Sequence, residues 1–227
     1  MTLPTIIHTL ISFALTANII HTTTTPNPSK ISESEKIYQL IVDDAPLVPS
    51  KEIFELAMHG WEKLEHKLEN PVLTIIDFSL PSTEKRLWVI DMEKSEILIN
   101  TVVSHGRNSG QLMAESFSNK PESYKSSLGF FKTAETYFGK HGYSLRIDGL
   151  EQGINDQARN RAIVIHGADY AKEEFAKATG RLGRSLGCPA LPPDISKEAI
   201  DIIKEGSLMF VFGKAPDYLE NSELAQP

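Results

Sequence analysis

The 227-residue chain holds a single cysteine, Cys188. That excludes an intramolecular disulfide and any zinc site built on paired cysteines. Basic residues are in deficit, with 23 Lys and Arg against 30 Asp and Glu and a formal net charge of -7. An acidic chain of this kind has no broad electrostatic footprint for nucleic acid, leaving only a local patch around Arg181 and Arg184. There is no HExxH helix, the commonest motif of zinc hydrolases, and no GxSxG turn to expose a serine nucleophile. No internal repeat is visible. Apolar residues at 41% and charged residues at 23% argue against wholesale disorder.

The first twenty residues, MTLPTIIHTLISFALTANII, carry no charged side chain. An apolar core followed by the small residue Ala17 reads as a secretory signal over residues 1–21. The fit is imperfect, because no Lys or Arg precedes the core and Leu15 suits its place before the cut poorly. Pro4, His8 and Asn18 weaken the stretch as an anchor, so the expectation is export without stable membrane insertion afterwards. The threonine run, the prolines and the alternating Ser and Glu of residues 22–36 read as a linker.

From residue 50 to 68 the apolar positions Ile53, Phe54, Ala57, Trp61, Leu64 and Leu68 recur at helical spacing, with Ser50 as cap and Asn70-Pro71 as stop. Residues 37–70 are therefore expected as an N-terminal helical extension. Short β-rich runs follow: VLTIIDFS, RLWVIDM, EILINTVVS, SLGFFKTAETYF, SLRIDGL, AIVIHG and finally SLMFVFG. Helices are expected over 170–179, stopped by Gly180, and over 195–204. The expected fold class is mainly β with a few helices, a β-sandwich or partly closed barrel over residues 71–215, with 216–227 as a tail.

Two segments could carry chemistry. The strand AIVIHG delivers His166 at its end, held by a rigid element and followed by Gly167. The loop GRLGRSLGCP surrounds Cys188 with glycines, which let the backbone turn tightly and approach a substrate. A lone cysteine is by itself most simply a small buried hydrophobe. A nucleophilic thiol must instead lose its proton, which an adjacent imidazole can take. Acyl transfer further needs a group to orient the histidine and donors for the oxyanion. The main-chain N–H groups of Leu186, Gly187 and Cys188 are the candidate donors. A zinc hydrolase using His105, His141, His166 or Asp169 is the chemical rival. Tyr124, Phe130, Phe131 and Tyr137 are expected as core or sheet residues.

The residues resemble the murein L,D-transpeptidases of the YkuD-like superfamily, in which a strand ends in His and a later loop reads Ser/Thr-His-Gly-Cys. His166-Gly167 matches the first part, and Ser185, Gly187 and Cys188 match the second. Leu186 stands where most members have His, and Pro189-Ala190 replaces the usual following pair. The departures fit a divergent branch, the murein L,D-transpeptidase catalytic domain family, to which TIIDFSLPSTEKRLWVIDM, VSHGRNSG, YFGKHGYSLRIDGLE, AIVIHGADY and GRLGRSLGCPALP are similar. The resemblance implies a thioester mechanism on peptidoglycan stem tetrapeptides, with Cys188 as nucleophile, His166 as base and the Gly167 carbonyl orienting it. It implies no metal and no organic cofactor, and a site in the periplasm or cell envelope. Arg184, a fork that suits carboxylates, is the candidate for binding a stem carboxylate, its bland alternative being a loop brace. Ser185 and Arg146 join it as candidate substrate-binding residues, with Arg107 and Lys125 as further cleft-lining candidates. Water as acceptor would make the chain an L,D-carboxypeptidase. Leu186 motivates another alternative, an inactive wall-binding module of the same fold.

Overall fold

A computed structural model describes Met1 and residues 32–227, so the expected signal segment and the linker up to residue 31 lie, Met1 aside, outside the described residues. Ser32 accepts the Glu35 N–H at 3.1 Å and caps α1 (Glu33–Asp44). The cap, with Glu33 and Glu35 at the positive helix end, starts this helix inside the stretch read as linker. Ser50 caps α2 (Lys51–Leu64) through the Ile53 N–H, as its sequence pattern predicts. The buried face of α2 is Ile53, Phe54, Ala57, Met58 and Trp61. Gly60 lets this face come down on the Phe130 ring, where a Cβ would collide with ring carbons.

The strands are β1 (Val72–Asp77), β2 (Leu87–Asp91), β3 (Glu96–Thr101), β4 (Gly129–Gly139), β5 (Gly142–Gly149), β6 (Val164–Gly167), β7 (Ala190–Leu191) and β8 (Leu208–Phe212). They form one sheet in the order β3-β2-β1-β8-β4-β5-β6-β7. The last strand lies at the centre, parallel to β1 and antiparallel to β4. Its five residues LMFVF are all buried, as suits a strand covered on both faces. Helix α4 (Pro193–Ile203) packs on β6, β5 and β1 and buries Ala199, Ile200 and Ile203, while α3 (Glu173–Thr179) packs Ala176 against Val102 and Leu182.

The sheet's two edges meet. Beyond β3, Ser104 bridges Ala190 of β7, its N–H donating to the Ala190 carbonyl at 2.9 Å, and Gly106 bridges Ser185. The fold is thus a mainly β, nearly closed barrel with a few helices and an N-terminal helical extension. The tail carries α5 (Pro216–Asn221), whose Tyr218 is buried. Tyr218 and Ser222 close over the buried Glu151 carboxyl, which also accepts the Phe130 N–H at 2.7 Å.

Candidate active site

Register decides which face the site occupies. Ser144 pairs with His166, Arg146 with Val164, and His166 with Ala190, so these residues share one face of β5, β6 and β7. The intervening Leu145, Ile147, Ile165 and Leu191 enter the core. His166 is 1% exposed, and its Nδ1 lies 3.0 Å from its neighbour's carbonyl, Gly167 O. An Nδ1–H donating there leaves Nε2 as the basic nitrogen. Burial pulls the imidazole down from its ordinary pKa, the Gly167 carbonyl draws it up, and His141 adds a downward push.

His141, read from sequence as a polar turn residue or zinc ligand, lies in the β4–β5 turn with its ring stacked on His166, centroids 4.3 Å apart. His141 is exposed while His166 is not, so it forms the solvent side of the buried base. His105 serves elsewhere. Its Nδ1 is 2.9 Å from Arg86 NH2, and burial and Arg86 push it down to about 4. Among the described residues no three His, Cys, Asp or Glu side chains gather as metal ligands.

The cysteine loop is stitched to two neighbouring segments. Ser185 N–H donates to His105 O, Arg107 N–H donates to Ser185 O, and Gly187 O accepts from Ser126 Oγ. Gly187 has φ +129°, and a Cβ there would stand 2.9 Å from Lys125 O, so only glycine fits. Cys188 precedes Ala190 by two residues and therefore lies alongside Val164, whose N–H points at Sγ at 3.5 Å. The thiol in turn points to Ala162 O at 3.8 Å. Cys188 and His166 thus stand on adjacent strands two residues out of register, about 6–7 Å of strand rise. No hydrogen bond joins them among the described residues, so in this conformation the expected thiol–imidazole bond is replaced by one to main chain. Burial pushes the thiol pKa up, and the Val164 N–H and Arg161 pull against it.

Several expectations need correction. The Gly187 N–H is not free for an oxyanion, because it donates to Ser185 Oγ at 3.0 Å while that hydroxyl donates to Cys188 O. Ser185 is therefore occupied inside the loop and not presented to a substrate. The Cys188 N–H lies against its own thiol. The Leu186 side chain is 56% exposed. Arg184 braces the loop, NH1 donating to Arg107 O at 2.9 Å and to Gly110 O at 3.0 Å. Arg146 shares the face of His166, but Glu135 holds it at 3.2 Å and its guanidinium lies over Tyr137. Arg107 stacks on Tyr124, and Lys125 donates to Ser116 Oγ. Phe130 and Phe131 are core residues, whereas Tyr137 is half-buried and pairs with Ser144 on the site face. Sequence reasoning missed Arg161, a half-buried guanidinium beside the Cys188 loop.

The site region is a strand-borne imidazole and a glycine-bounded thiol on adjacent strands of a nearly closed barrel. Residues 48–212 match the family model of the L,D-transpeptidase catalytic domain, and the chain belongs to that family. A search of curated proteins gave no match. Among solved structures the chain is similar to an L,D-transpeptidase from Mycobacterium smegmatis, with 16% identity, 63% of this chain and 59% of that one covered, and TM-score 0.39. It is also similar to one from Stackebrandtia nassauensis (18% identity, 74% and 69% covered, TM-score 0.38) and to L,D-transpeptidase 1 of Mycobacterium tuberculosis (15% identity, 63% of each covered, TM-score 0.37). The chain thus spans about 59% of the first of these, and the fold assignment stands on its own sheet topology. No helix among the described residues is long and apolar enough to cross a membrane.

Proposed function

We propose that this chain is a cysteine-dependent L,D-transpeptidase acting on peptidoglycan stem tetrapeptides. The observation that supports the reading is the oriented base: His166 holds Nδ1 on Gly167 O and turns Nε2 free, two residues along β6 from the Val164 N–H that faces the Cys188 sulfur. In the resting arrangement the thiol is parked on Ala162 O. Attack requires it to rotate about χ1 toward the imidazole. The thiol proton passes to Nε2, and sulfur bonds to the carbonyl carbon of the third stem residue. The resulting oxyanion takes the Leu186 N–H, joined by the Cys188 N–H once sulfur has left it. The C–N bond to the terminal D-Ala breaks, and the departing amine takes the proton from His166. An acceptor amine then gives a proton to His166, attacks the thioester and releases Cys188, forming a 3–3 cross-link or attaching another amine.

The test is incubation of purified protein with stem tetrapeptide, with products resolved by mass. Dimer together with released D-Ala, absent in Cys188→Ala of unchanged thermal midpoint, is the expected result. Tripeptide alone would mean that water is the acceptor and the chain is a carboxypeptidase. A half-buried thiol bonded to main chain favours the second reading, an inactive wall-binding module, which predicts neither product. The same proposal makes residues 1–21 an export signal and the periplasm or cell envelope the working compartment. A reporter active only after export, fused behind residues 1–30, stays silent if that is wrong.

A further inference from the structure

The proposed nucleophile is half-buried, its proton rests on a carbonyl, and no imidazole is hydrogen-bonded to it in this conformation. A thiolate at such a place needs a compensating positive charge. The candidates facing Sγ can be enumerated. On β6 there are the Val164 N–H and, two residues on, His166. Beside the loop stands the Tyr170 phenol, which burial and Cys188 push up to about 12, so that it stays protonated. The Lys125 ammonium is turned away onto Ser116 Oγ. That leaves Arg161.

Arg161 sits immediately before the segment that grips the sulfur, Ala162 through its carbonyl and Val164 through its N–H. Ala162 has φ +53°, a left-handed conformation that an L residue adopts only under constraint. The Arg161 guanidinium is fixed by Ser118 O at 2.6 Å, Ser127 Oγ at 2.5 Å, Ser123 Oγ at 3.3 Å and Lys125 O at 2.7 Å. Lys125 O is the same oxygen that crowds Gly187, and Arg161 NH2 stands 3.4 Å from where a Cβ of Gly187 would be. The guanidinium therefore abuts the residue that precedes the nucleophile. Every one of its acceptors is a neutral oxygen, and among the described residues it pairs with no carboxylate. A half-buried guanidinium held this firmly without a counter-ion is a charge waiting for an anion.

We propose that Arg161, and not His166, is the cation that holds Cys188 as a thiolate, a positioning residue that poises the sulfur for attack. The inference rests on the reading of Cys188 as the nucleophile. Ionisation still sends the thiol proton to His166 Nε2, which passes it to the departing amine, while Arg161 and not the imidazolium balances the charge left on sulfur. The electrostatics agree: burial pulls the Arg161 pKa down, and a Cys188 thiolate draws it back up.

Alkylation by iodoacetamide, followed by intact-protein mass from about pH 5 to about pH 10, reads the thiolate fraction without any wall substrate. Arg161→Gln should move the apparent thiol pKa upward by about 1–3 units, which slows alkylation at neutral pH about tenfold or more. Arg161→Lys should recover much of that loss, because it keeps the charge and loses only the fork. Ser127→Ala, which removes one brace and no charge, should leave the profile in place. His166→Gln should also leave it in place. An unmoved profile in Arg161→Gln, or a shift in His166→Gln as large as that in Arg161→Gln, overturns the proposal. If Arg161→Gln fails to fold, His166→Gln decides alone: no shift supports Arg161, and a shift of about one unit or more refutes it. Stem-peptide turnover on the same samples separates the two levels. A thiol that follows Arg161 in protein that turns over no stem peptide keeps this inference and removes the transpeptidase reading.

Discussion

Acidification should unlock the region behind the cysteine loop, through His105. This imidazole is 0% exposed, and its Nδ1 accepts from Arg86 NH2 at 2.9 Å, so it must be neutral in the fold. Arg86 is itself fully buried, donates to Val103 O and Leu80 O, and is drawn by burial down to about 9, which still leaves it charged at neutral pH. Protonating His105 would bury two cations in contact. Its pKa accordingly falls from 6.5 to about 4, burial first and Arg86 second. Between those values the unfolded chain binds a proton that the folded chain refuses. Stability from this group is complete above 6.5, is lost as pH falls toward about 4, and is constant below. Two and a half units at about 1.4 kcal/mol each come to about 3 kcal/mol, a large share of a typical folding free energy. Urea unfolding of the parent and of His105→Gln near neutral pH and near about pH 4 measures it, since the glutamine oxygen still accepts from Arg86 but cannot titrate. The parent should lose about 3 kcal/mol more than the variant over that interval. Because Ser185 N–H donates to His105 O, loss of the cysteine loop's protection from proteolysis should track the same transition. Equal pH slopes in parent and variant would refute the reasoning, whatever their absolute stabilities.

Other perturbations address the site and its support. His166→Gln should lower kcat/KM by about 10²-fold or more if it moves the protons. His141→Gln should cost far less, but should move the acid limb of the pH–rate profile upward, since it removes both the cover and the charge that hold the His166 pKa down. A carbapenem should acylate Cys188 to a single thioester adduct, absent in Cys188→Ala, because a strained β-lactam carbonyl is an acyl donor for an activated thiol; no adduct, with no alkylation by iodoacetamide either, would favour the inactive module. Gly60→Ala should lower the thermal midpoint: helix propensity favours alanine by about 1 kcal/mol, but driving a Cβ into the Phe130 ring costs about 1–3 kcal/mol or more, and a raised midpoint would show that the helix shifts freely over the sheet.

What the sequence discloses here follows the range of each interaction. Alternation, β-branching and turn residues are local, so seven of the strands are legible, and Ser50 marks the start of α2. The two-residue strand β7 leaves no pattern, yet it positions Cys188 against Val164. The pairing of β8 with β1 joins residues on opposite sides of the whole domain, and no local signal encodes it. His166 and Cys188 stand out because a strand end and a glycine-dense loop are themselves local features. Arg184 left carboxylate binding and loop bracing both open, because where an arginine's N–H groups go is not a local property; its NH1 goes to Arg107 O and Gly110 O, as a brace. Arg161 carries no motif at all. Its importance comes from the meeting of three segments, 118–127, 161–164 and 185–188, which only the closed sheet brings together.

Closure of the barrel and construction of the site are the same event. Ser104 and Gly106, running on from β3, are the residues that bridge Ala190 and Ser185 across the gap between the sheet's edges. Those bridges fix the cysteine loop at both ends, one just before Leu186 and one just after Pro189. On the other side β6 brings His166 through its pairing with Ala190. The thiol and the base therefore belong to the seam itself, and neither has its orientation until the first three strands and the last half of the chain have met. A barrel with an unclosed seam would keep most of its core, since Ile165, Leu191 and their neighbours pack inward from β6 and β7. It would lose the arrangement of the Cys188 loop, which is tied to Gly106 and Ser126. Partial opening at this seam would therefore part the Cys188 loop from its ties to His105 and Ser126.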